Sequence, residues 1–65
     1  MKEQIIAILT EHPGIRKRAI ASYLHVHHFE IISLLEEMVR ENLLVTRDFR
    51  DMANMEFYTE YYVKG

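Results

Sequence analysis

Residues 20–44, IASYLHVHHFEIISLLEEMVRENLL, decide how this chain is organised. From about His28 to about Asn42 the apolar residues recur at helical spacing. At about 100° per residue with Ile31 as origin, Leu34, Leu35 and Met38 lie within about 60° of it, and Val39 lies just beyond that stripe. A shorter helical pattern precedes it, with Ile20, Ala21 and Leu24 on one face. Only His25-Val26-His27-His28 separates the two, so the spacing predicts two helices joined by a tight turn.

Upstream, Lys2 to Glu11 carries Ile5, Ile6, Ile8 and Leu9 at the same period, and His12-Pro13-Gly14 ends that helix. Proline disfavours a helical residue before it, and glycine suits the turn. Ile15 then leads into Arg16-Lys17-Arg18. Downstream of Asn42 the period drops to two. Leu44 to Arg50 forms one strand, and Met55, Phe57, Thr59, Tyr61 and Val63 alternate with polar and aromatic neighbours in a second. Asp51-Met52-Ala53-Asn54 is the loop between them. Three helices followed by a two-stranded β-hairpin make an α+β arrangement, the order of a winged helix-turn-helix, in a single domain over residues 1–65.

Composition narrows the functional classes. In 65 residues there is no cysteine and no tryptophan, with 49% hydrophobic and 28% charged residues and a formal charge of −2. Disulfides, Fe–S ligation and a thiol nucleophile are thereby excluded. The longest apolar run, Ile5 to Leu9, is far short of the roughly 20 residues that cross a bilayer. The start of the chain lacks a secretion signal, so a cytoplasmic location is expected and no membrane partner. Too little chain remains to wall a pocket for a small-molecule substrate. Ser22 and Ser33 sit on no nucleophile elbow, and the two glycines build no phosphate loop. Glu36 and Glu37 point about 100° apart on one helix. No enzyme and no cofactor are expected.

The charges are unevenly distributed. Every charged residue from Ile15 to Phe29 is a cation, namely Arg16, Lys17 and Arg18. They open the second helix, where each opposes the positive end of the helix dipole at a typical cost of about 0.3–1 kcal/mol. Such a placement points to phosphate binding, since the first helix of a helix-turn-helix crosses the DNA backbone. Arg47 and Arg50 are the cations near the hairpin tip, expected on the backbone as well, each followed by an acid, Asp48 or Asp51. Base edges would be met by His27, His28, Phe29, Ile32 and Ser33 in the first half of the third helix. His25, His27 and His28 gather at that end, where acidification adds charge beside the cations. No Cys, Asp or Glu stands next to them as a further ligand, so no metal is expected. His12 reads as a helix C-terminal residue. From Glu30 to Glu41 acids dominate, with Glu30, Glu36, Glu37 and Glu41 against Arg40.

The 20–44 stretch resembles the helix-turn-helix of many bacterial winged-helix regulators. The resemblance implies that Ala21 is the small residue where two helices cross and Val26 the hydrophobe of the turn. It implies that Ile31, Leu35 and Met38 are the buried side of the recognition helix, with Asn42-Leu43-Leu44 leading into the wing. Lys17 stands where such helices begin with a capping Ser, Thr or Asp. With EQIIAILTEHPG at the start and FYTEYYVKG at the end, the layout is also similar to the small Pap-type pilus switch regulators of enterobacteria. That likeness implies a bacterial or phage transcriptional regulator of double-stranded DNA, acting with a second regulatory protein. The low charge also calls for a homodimer or such a helper, and Met52 and Met55 near the hairpin tip are adaptable contact residues. A different function remains open on the same residues: a protein-interaction module docking through Phe29, Ile32 and the acidic side of the third helix.

Overall fold

Each helix ends where its backbone finds a specific exit. A computed structural model describes all residues, Met1–Gly65. Helix α1 spans Lys2–Glu11, α2 Lys17–Leu24 and α3 His28–Arg40. After α2, His25 adopts left-handed geometry at φ 57°. Its N–H donates to the Ser22 carbonyl at 3.2 Å, and that of Val26 donates to Ala21 at 3.1 Å. Asn42 repeats the device after α3 at φ 63°, donating to Val39 at 3.1 Å while Leu43 donates to Met38 at 2.9 Å. These paired bonds form the Schellman arrangement, which satisfies carbonyls the helix would leave open. They also stop α3 at Arg40, two residues before the end that apolar spacing predicts, because hydrophobic period carries no information about a left-handed exit.

Strands β1 (Leu44–Asp51) and β2 (Glu56–Val63) pair antiparallel from Leu44↔Val63 to Asp51↔Glu56. The loop is Met52 to Met55 rather than Asp51 to Asn54. Asp51 closes β1 and caps the loop, accepting from the Ala53 and Asn54 N–H groups at 3.1 and 3.2 Å and from Asn54 Nδ2 at 2.8 Å. These donors hold its carboxyl below the usual range. Met55 takes φ 54° and belongs to the loop. One isolated bridge has no signature in the sequence. Ile15 bridges to Tyr61 along the free side of β2, with Gly14 N–H donating to the Tyr61 carbonyl at 2.9 Å and Tyr61 N–H to that of Ile15 at 3.2 Å. One residue has no period, so only long-range pairing reveals it.

The core is Ile5, Leu9, Ile20, Ala21, Ile31, Leu35, Met38 and Leu44, with no buried polar side chain. Leu24, Val26, Leu34, Val39, Tyr61 and Val63 pack around it. The stripes of α2 and α3 lie where their spacing predicts, with Ala21 in the core; of the α1 stripe, Ile5 and Leu9 are buried and Ile6 packs on them, while Ile8 stays outside the core. Tyr61 and Val63 reach the core because they lie at the base of the hairpin. Phe57, on the same face nearer the tip, is 55% exposed, since the hairpin runs on past the helices. The result is three helices and a projecting antiparallel hairpin, an α+β winged-helix arrangement.

Candidate nucleic-acid interface

The start of α2 carries a cation cluster that nothing in the chain neutralises. Arg16 is the N-cap residue and makes no side-chain cap bond, so the capping position lies one residue before Lys17. The ion pairs of the chain are Lys2 with Glu37 and Glu41, and His12 with Glu11. Arg16, Lys17, Arg18, Arg47 and Arg50 have none. The Arg16 guanidinium instead lies 4.1 Å from the centre of the Tyr58 ring, a cation–π contact that leaves its charge intact. An open groove of about 430 Å³ runs between this helix start and the hairpin, lined by Arg16, Lys17, Arg18, Phe57, Tyr58 and Thr59 among others.

The α3 N-terminus adjoins that groove. The His28 imidazole is held below its ordinary value of 6.5, first by partial loss of water and then by the positive charges of His27, Arg18 and Lys17. His27, His28 and Phe29 form a ring cluster, with His27–His28 centroids 4.5 Å apart and His28–Phe29 4.3 Å apart. His25 does not join it. It serves as the left-handed exit of α2 instead.

His27 is engaged in holding the helix. Its Nδ1 accepts from the Phe29 N–H at 3.3 Å, and its own N–H donates to Glu30 Oε2 at 2.9 Å. This reciprocal bonding is a capping box with an imidazole in the usual hydroxyl place. The Glu30 carboxylate is spent on the same box. Phe29 is 69% exposed, Ser33 is exposed and Ile32 half-buried, so these three lie open beside His28.

The other acids of α3 turn away from this end. Lys2 Nζ lies 2.8 Å from Glu41 Oε1 and 3.5 Å from Glu37 Oε2. Its hydrogen bond to Glu41 leads in raising the Lys2 pKa above the ordinary lysine value. Glu36 lies with Val39, Arg40, Thr46 and Tyr61 at the base of the hairpin. There, burial first, then the charges of Glu36 and Asp48, raise the Tyr61 phenol. Sequence order makes α3 look uniformly acidic, whereas the fold sorts those carboxylates by direction.

The hairpin arginines separate. Strand alternation puts Arg47 opposite Glu60 and Arg50 opposite Phe57, on opposite faces of the sheet. Arg50 shares the face of Phe57 and Thr59, and Arg47 shares the face of Tyr58; the groove is lined from both faces. Neither arginine pairs with the acid that follows it, since neighbours along a strand point to opposite faces; Asp51 caps the loop and Asp48 accepts from the Thr59 hydroxyl at 3.1 Å. Tyr58 and Phe49 stack with centroids 4.7 Å apart on the outer face. His12, as its spacing predicts, closes α1, and its ring stacks on Tyr23 at 5.0 Å. Nowhere do three potential metal-ligating side chains converge.

The fold and this surface define a class: a small winged-helix domain with an unneutralised cation cluster beside its third helix. Comparison with family models, with curated proteins and with solved structures gives no match to this chain.

Proposed function

We propose that this domain binds double-stranded DNA as a transcriptional regulator, entering the major groove with the N-terminal half of α3. One observation carries the reading: Arg16, Lys17 and Arg18 are free of ion pairs, the charges of Lys17 and Arg18 reach His28, and Glu30, Glu37 and Glu41 are engaged within the chain. Three cations held against a helix dipole cost stability, and phosphate neutralisation is the return that their position allows. His28, Phe29, Ile32 and Ser33 meet the bases, and His27 orients them through the cap. The wing adds Arg47 and Arg50, which have no ion-pair partner within the chain. With an overall charge of −2, a single copy binds weakly, so specific loading uses a second copy or a second DNA-binding protein.

The test is fluorescence anisotropy with a mixed-sequence duplex over a salt series. Neutralisation by three α2 cations gives a log–log salt slope of about −3. Arg16→Glu with Lys17→Glu abolishes the binding, and circular dichroism verifies that the variant remains folded. Undetectable binding of the parent chain at low salt overturns the reading. The 69% exposure of Phe29 favours one other reading, a protein-docking face. Under it, Phe29→Ala with Ile32→Ala removes function and the α2 charge reversals do not.

A further inference from the structure

The outer edge of β1 is open over its whole length. The sheet is β1-β2, with Ile15 on the far side of β2, so no strand pairs with β1 from outside, and Val45 to Arg50 are all exposed. Folded proteins usually blunt such an edge with charged side chains, proline, a bulge or shortness. Here the strand has eight residues, no proline and unbroken pairing without a bulge, so its charges alone guard the edge and their order decides what it can pair with.

Its charges follow a particular order: Arg47-Asp48-Phe49-Arg50-Asp51. Suppose two copies pair antiparallel along this edge about a two-fold axis normal to the sheet. Both then present the same face to the same side, which requires one residue to stand opposite its own copy. Centring on Arg47, Asp48 or Arg50 puts like charges directly opposite, which destabilises a sheet. Centring on Phe49 puts Arg47 against Asp51 and Asp48 against Arg50, each twice by symmetry, and Phe49 against Phe49. We infer that β1 is a self-pairing edge, through which two copies of this chain form a four-stranded sheet centred on Phe49.

The shape of the chain admits this pairing. The helices pack on the Leu44–Val63 end of the hairpin, and the tip projects past them. Antiparallel pairing therefore sets each helical body beside the other copy's tip rather than against its body. On the outer face, Arg16 lies on Tyr58 and Tyr58 stacks on Phe49. The two-fold axis extends that row through the second copy's Phe49 and Tyr58 to its Arg16. Arg47 and Arg50, unpaired in the single chain, gain carboxylate partners, whereas the α2 cluster does not lie on this edge. In the dimer the wing arginines face carboxylates, so the DNA contact of the proposed function then rests on the α2 cations.

Sedimentation equilibrium of the full chain over a range of concentration and salt tests it. The parent chain forms a reversible dimer that salt weakens. Asp48→Arg and Arg50→Asp each turn two symmetric opposite-charge pairs into like-charge pairs, weakening association by roughly tenfold or more. An equimolar mixture of the two variants restores it, because the reversed charges complement one another across the axis. In the dimer the outward backbone amides of β1 also gain protection from hydrogen exchange. A parent chain that stays monomeric to its solubility limit overturns the inference. So does a charge variant that dimerises like the parent while folded by circular dichroism, or a mixture no stronger than either variant alone.

Discussion

His27 and His28 are adjacent in sequence and have opposite tasks. His27 caps α3 through the lone pair of Nδ1, which accepts from the Phe29 N–H. Loss of an N-cap side chain costs about 1 kcal/mol. His27→Ala is expected to lower stability by about that amount in urea unfolding, and His27→Ser to retain it. His28 is the residue that responds to charge. Its folded value lies below the ordinary 6.5, so between the two values the unfolded chain binds more protons. Its contribution to stability is full above pH 6.5 and is lost as pH falls through the lowered value. Unfolding curves at pH 7.5, 6 and 5 should show that decline, shallower in His28→Gln. Under the proposed function a phosphate beside the ring would reverse the local field, so DNA affinity is expected to rise on acidification and His28→Gln to lose that gain, as anisotropy at pH 7.5 and 6 would show.

At the level of elements, the junction between α1 and α2 is the least replaceable segment. Gly14 has φ +85°, and a Cβ there would stand 2.9 Å from Tyr62 Oη and 3.2 Å from the ring carbon that bears it. Left-handed backbone alone costs an L-residue about 1–2 kcal/mol. Gly14→Ala is expected to destabilise by at least that much in denaturant titration, and adding Tyr62→Phe relieves only the hydroxyl contact, leaving the ring carbons and the backbone cost. The same junction sets the site, because Gly14 and Ile15 hydrogen-bond to Tyr61 and thereby carry Arg16 onto Tyr58. A loosened junction therefore weakens the cation cluster's geometry as well as the fold.

On the scale of the whole molecule, eight buried residues hold everything together. A chain of this length has a total stability of roughly 3–10 kcal/mol, and removing a buried leucine side chain costs about 2–5 kcal/mol. Leu35→Ala, at the centre of α3, should leave a large fraction unfolded at 37 °C by circular dichroism. The three helices, the hairpin and that core were legible in the sequence, because hydrophobic period is a local signal that burial reads directly. So was the cation run at Arg16-Lys17-Arg18. The Ile15 bridge, the capping task of His27 and Glu30, and the left-handed exits at His25 and Asn42 were not legible, since each is a hydrogen-bonding choice without a period. Nor was the sorting of the acids of α3 and its C-cap: Lys2 and Glu41 lie 39 residues apart, and only the folded chain brings them together. Sequence alone determined which residues are apolar and at what spacing, and hence which elements form and which faces they bury. Tertiary structure alone decided which charges are spent inside the chain and which stay open to a partner, because pairing depends on distances that only the folded chain sets.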